Sequence, residues 1–167
     1  GTLAIEMAAS RLLSNVYGTS NLVWAAIIGL ILIYIAVGNY VGGKWADKSP
    51  HKKTFFIVLL FGGLSTAIVP LIAQPILRAA ADAFDQLQIG MIIGAFISIM
   101  ILMVIPIILL GMVSPFSIRI IADEQKMKTD ELGRLSGLIY AISTGGSFIG
   151  TFLPGLLLIP LIGTYQT

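Results

Sequence analysis

The amino-acid sequence predicts an all-α, polytopic membrane helix bundle of about five transmembrane helices. Of its 167 residues, 57% are hydrophobic and only 11% are charged. The mean hydropathy is +0.97. The apolar residues are gathered into long runs divided by short polar connectors. So little polar material cannot coat a water-soluble globule of this size, and the chain is assigned to a bilayer as a single integral membrane domain. Cysteine is absent, which excludes a disulfide framework, a thiolate metal site and a thiol nucleophile. The net charge of +2 is small and the cations fall mostly in membrane-flanking connectors, so nucleic acid is not an expected partner.

A helix needs roughly 20 apolar residues to cross a hydrocarbon core about 30 Å thick. Residues 1–13 fall short of that length and read as the remainder of a truncated first span, both chain ends being expected to continue. The second to fifth spans are expected over 21–43, 54–75, 88–115 and 135–160. Prolines 70, 75, 106, 115, 154 and 160 are expected to kink or end these helices, because each removes a donor and crowds the carbonyl four residues earlier. Between the third and fourth spans, PILRAAADAFDQLQ has apolar residues near helical spacing, which suits either a short helix in the interface or a loop.

Cations orient the bundle. The connector after the second span holds Lys44, Lys48, Lys52 and Lys53, and the one after the fourth holds Arg119, Lys126, Lys128 and Arg134. The remaining two connectors carry only Arg78 between them, accompanied by Asp82 and Asp85. By the positive-inside rule the start of the chain is cytoplasmic and its end external.

Lipid is as apolar as leucine, so helices must associate through close packing of small residues. Gly38 with Gly42, Gly90 with Gly94 and Ser98, and Gly146 with Gly150 form such stripes. On the fifth span Ser136, Tyr140, Ser143, Ser147 and Thr151 gather hydroxyls on one face, either bonded to their own helix or lining a polar path.

Glu6 is the most informative ionisable residue. If Tyr17 marks the outer interface, Glu6 lies about 16 Å below it, near mid-membrane. A carboxylate at that depth faces a bundle interior, as a structural hydrogen-bonded acid or as part of an ion or solute path. Arg11 is its nearest candidate partner in the chain, but lies about 140° around the helix and can snorkel outward. No constellation of nucleophile, base or metal ligands stands out, and no enzyme activity, metal or cofactor is expected. His51 reads as a solvated residue among lysines, and STGGS as helix packing rather than a phosphate loop.

The connector GGKWADKSPHKK resembles the loop signature of major facilitator transporters, roughly G-x-L-A-D-R-x-G-R-K. Gly43, Ala46, Asp47, Lys48, Lys52 and Lys53 match in kind, while Trp45 replaces leucine and Pro50 the second glycine. Five blocks, EMAASRLL, YGTSNLVWAAIIGLILIYIAVGNYVGGKWAD, LLGMVSPFSIRI, GRLSGLIYAISTGGSFIGTFLP and LLIPLIGT, resemble the N-terminal membrane domain of the bacterial membrane-bound, facilitator-fused spermidine synthase family. That resemblance implies half of a facilitator fold in a bacterial inner membrane. It marks Glu6, Arg11, Gly43, Asp47, Ser114, Pro115, Arg119, Gly133, Arg134, Gly137 and Tyr140, and because Asp47 and Arg119 or Arg134 would meet at one membrane face, we expect them to form a cytoplasmic latch. The family's Rossmann-like catalytic domain has no counterpart in these residues, so its aminopropyl transfer is not carried over.

Three functions are consistent with this reading. The first is an anchor or transporter-like half-bundle for a small solute, a cation being suggested by Glu6, completed by a sixth helix, a second copy or a larger complex. The second is an accessory subunit of a membrane assembly. The third is the membrane part of an aminopropyltransferase.

Overall fold

The computed structural model describes Ile5 and residues 21–86, 91–128 and 130–162, and the regular elements among them are all helical. They are α1 (Asn21–Lys48), α2 (Lys52–Gln86), α3 (Met91–Gly111), α4 (Val113–Glu124), α5 (Leu132–Leu153), a π-helical turn (Pro154–Leu158) and α6 (Ile159–Ile162). Four stretches are long and apolar enough to cross a membrane: Ile27–Lys48, Lys52–Ala73, Met100–Glu124 and Leu132–Leu161. Their outer faces expose Leu32, Leu60, Phe61, Leu71, Ile105, Phe148 and Leu161. Apolar exposure on that scale is stable in lipid and not in water, so the protein is a membrane-embedded helical bundle. The expected first span, including Glu6 and Arg11, lies outside the described residues, except that Ile5 is helical and packs on the core.

Helix α1 buries one stripe at three- and four-residue steps, Ile27, Leu30, Ile31, Tyr34, Gly38, Gly42 and Ala46, as a 3.6-residue period requires. Its upper half joins Leu102, Met103 and Ile107 of α3 and Val69 and Ala73 of α2 in one core cluster. Its lower half joins Val58 of α2 and Met112, Phe116 and Ile120 in a second. The continuous α3–α4 rod is thus wedged between α1 and α2.

The small-residue stripe of α1 sets how closely the rod approaches. A methyl group on Gly38 would run into the carbonyl oxygen of Ile108, and one on Gly42 would sit 2.7 Å from Met112 Cα. The reverse holds across the seam, where a Cβ on Gly111 would lie 3.2 Å from Gly38 Cα. Such backbone contact is how membrane helices gain packing energy without a hydrophobic drive. Gly146 differs from the expected stripe: among the described residues, nothing lies within 4 Å of a Cβ placed there. Gly150 is half-buried. Gly90 and the surroundings of Gly94 lie outside the described residues.

The crossing stretches Lys52–Ala73 and Leu132–Leu161 agree with the expected third and fifth spans to within three residues, while three helix ends differ from those expected. Helix α2 does not end at residue 75 but continues through PILRAAADAFDQ to Gln86. Alanine-rich sequence without glycine sustains it, and Pro70 and Pro75 sit inside it without ending it. At 35 residues it is about 52 Å long, so its last turns project beyond a hydrocarbon core of about 30 Å. The fourth span runs on to Glu124, which places Arg119 on a helix rather than in a connector. Helix α5 begins at Leu132, which brings Arg134 into its first turn.

Candidate functional site

Proline 115 shapes the rod from four residues away. Its missing N–H leaves the Gly111 carbonyl without its intrahelical donor, and its ring crowds that carbonyl. The helix tightens for one turn at Met112, whose backbone stays right-handed helical at φ −68° and ψ −18° and whose N–H is shared between the carbonyls of Ile108 and Leu109, both at 3.2 Å. Glycine at 111 lets the same point press against Ile35 and Gly38 of α1.

A crevice of about 340 Å³ opens beside this turn, between α1, α2, the rod and α5. Its polar lining is Asn39 of α1, Ser114 beside the turn, and Tyr140, Ser143 and Ser147 of α5. Its apolar lining includes Ile35, Leu59, Leu110 and Val113. Asn39 lies nine residues from Lys48, and Ser143 nine from Arg134. At the helical rise both are about 13 Å from the basic end, close to mid-bilayer.

Hydroxyls elsewhere in the bundle are quenched by their own helices. Thr66 donates to the Gly62 carbonyl at 2.8 Å, Ser117 to Val113 at 2.8 Å, Thr144 to Tyr140 at 2.8 Å and Thr151 to Ser147 at 2.9 Å. Tyr140 and Ser147 accept these bonds at their backbone carbonyls, while the side chains of Asn39, Ser114, Tyr140, Ser143 and Ser147 make no hydrogen bond to another described residue. The hydroxyl stripe expected on α5 therefore divides: Thr151 is self-satisfied, while Tyr140, Ser143 and Ser147 turn to the crevice. Asn39 was missed in the sequence. Its signal was available, a lone amide deep inside an apolar run.

The basic end forms a second cluster. Arg119 Nε lies 3.4 Å from Asp47 Oδ1, and Lys52 Nζ lies 2.8 Å from Glu124 Oε1. These ion pairs tie the foot of the rod to α1 and to α2. Trp45 meets Phe116 edge-on at 5.9 Å between ring centres, and Lys44 sits over the Tyr40 ring at 4.4 Å. Of the two arginines proposed to meet Asp47, Arg119 does so, and Arg134 takes part in neither of these pairs. Gly43 faces Pro115 at ordinary contact distance, 3.9 Å from a built Cβ. In the turn, Ser49 Oγ is 3.1 Å from His51 Nδ1 and 3.2 Å from Thr54 Oγ1, so the imidazole helps to close a hairpin of helices. No group of three or more potential metal ligands occurs among the described residues.

Compared with models of protein families, with characterised proteins and with solved structures, the chain matches none.

Proposed function

We propose that the protein is a transporter-like half-bundle, which forms one wall of a path for a small solute and is completed by further membrane helices. The observation that carries this reading is a crevice near mid-membrane, beside the tightened turn at Gly111–Met112, lined by polar side chains that make no hydrogen bond to another described residue. Transporters place their solute sites at that depth. The resemblance to the membrane domain of spermidine-synthase-like proteins supports the half-bundle and makes a polyamine the first solute to try. Under this reading the Asp47–Arg119 pair is a cytoplasmic latch at the foot of the rod, the basic connectors face the interior of a bacterium, and Glu6 is a candidate solute or ion contact.

The test is uptake of radiolabelled spermidine and mannitol by vesicles reconstituted with the protein. Uptake of at least one of them should exceed that of empty vesicles and fall at least about tenfold in Ser147→Phe, which fills the crevice. Equal uptake by Ser147→Phe and the unaltered protein would remove the crevice from the path. Unchanged uptake by Glu6→Gln would remove that carboxyl alone.

One observation favours a second reading, an accessory subunit of a larger complex. Leu135 is the buried residue of α5, while Leu138, Ile142, Phe148, Ile149 and Phe152 stay exposed along it. Mass spectrometry of the gently solubilised protein separates the two, since an accessory subunit would arrive with partners in fixed ratio and show no uptake by itself.

A further inference from the structure

We infer that the crevice binds an uncharged, polyhydroxylated solute of the polyol class, an inference that rests on the transporter-like reading and sets a neutral solute in place of its polyamine. Charge is the first consideration. Among the described residues that line the crevice there is no Asp, Glu, Lys, Arg or His. A permanently charged solute at mid-bilayer depth would be stripped of water with no countercharge facing it from these described residues, a cost far above that of a neutral group. Of the charged side chains at the basic end, Asp47, Arg119, Lys52 and Glu124 are engaged in ion pairs, and Lys44, about 7.5 Å along α1 from Asn39, sits over the Tyr40 ring.

Donor and acceptor character is the second. Asn39 offers both an amide NH2 and a carbonyl, each serine hydroxyl can donate and accept, and Tyr140 does likewise. A cation site built from neutral ligands presents acceptors alone in a tight shell of six or so oxygens. A polyol has the matching alternation, since each of its hydroxyls both gives and takes a hydrogen bond.

Room is the third. A space of about 340 Å³, open on one side, falls within the range of small-molecule sites. That is much too roomy for a bare ion and suits a six-carbon polyol. Ile35, Leu59 and Val113 supply apolar wall against which its C–H faces can lie. Serines at 114, 143 and 147 that make no bond to their own helix complete the match. They remain open to a ligand, whereas Thr144 and Thr151 on the same helix as Ser143 do not.

Equilibrium dialysis of the nanodisc-embedded protein against radiolabelled mannitol, spermidine, glutamate and sodium ion tests the inference. Saturable binding is expected for mannitol, weakened about tenfold by Asn39→Leu and by Ser143→Ala and unchanged by Thr144→Val. Ser143→Ala removes one oxygen from an exposed position, so it keeps the test decisive should Asn39→Leu fail to fold. Saturable binding of spermidine, glutamate or sodium in place of mannitol, lost in the same variants, would overturn the solute class and leave the transporter-like reading standing. Binding of none of the four, with a photocrosslinker at position 143 capturing another polypeptide, would overturn both and make the crevice a seat for a partner helix.

Discussion

At the residue scale, glycines that look alike in the sequence have opposite roles. Gly38 faces the Ile108 carbonyl and Gly42 faces Met112, and both obstacles are backbone or backbone-near atoms that cannot swing aside. Gly38→Leu should therefore destabilise the bundle by about 3 kcal/mol or more, the upper range for overpacking. Gly146→Ala, with open space at the same atom, should change stability by less than about 0.5 kcal/mol. Denaturant titration in mixed micelles, followed by helical circular dichroism, distinguishes them. A second single-residue effect sits at the end of α4. Lys126 has φ 48°, and its N–H and that of Met127 return to the carbonyls of Asp123 and Ala122 at 3.3 and 3.1 Å. This is the glycine-type helix stop, occupied by a side chain that pays for a left-handed backbone. Lys126→Gly should raise stability by roughly 1 kcal/mol in the same titration, and a loss of stability there would contradict the geometry.

At the scale of elements, the tightened turn that joins α3 to α4 follows from the pairing of Pro115 with Gly111. Pro115→Ala restores a donor four residues after Gly111 and removes the ring that crowds its carbonyl. The variant should be more stable, with a thermal midpoint raised by several degrees, yet bind and take up solute at least about fivefold less well, because the crevice loses its open backbone edge. A variant that is stabilised and fully active would detach this turn from function. The sequence makes much of this scale legible. The α1 stripe of Gly38 and Gly42 marks the tightest seam, and the hydroxyl face of α5 marks one side of the crevice. Two things are hidden. Whether a serine bonds its own helix or a neighbouring space depends on what the facing helix leaves open, so Thr151 and Ser147 cannot be told apart by spacing. Helix ends are hidden as well, because alanine-rich polar sequence such as that from Pro75 to Gln86 is an equally good helix inside a membrane or outside it. Asn39 was readable, its amide being costly inside an apolar span, but an isolated polar residue gives no indication of its companions.

At the scale of the whole molecule, the two ion pairs constrain topology more than they stabilise it. Their side chains are 47–69% exposed, so each pair contributes at most about 1 kcal/mol, and a double-mutant cycle on Asp47 and Arg119 should return coupling within that limit. A coupling much larger than this would mean that the latch is desolvated in the membrane. Their geometric content is firmer. Lys52 follows the turn after α1 and Glu124 ends the rod, and a separation of 2.8 Å puts both turns at one face of the bilayer whichever way the bundle is inserted. With no native cysteine, single replacements Lys52→Cys and Lys126→Cys give unambiguous labels. A maleimide that cannot cross the membrane should reach both from the same side in every preparation. Because the basic connectors carry eight of the ten cations, that side should be the cytoplasmic one, with both cysteines labelled in inverted vesicles and protected in intact cells. Labelling from opposite sides would break the pairing of the rod with α2 on which the crevice depends, whereas labelling of both from outside would keep the fold and reverse only its orientation.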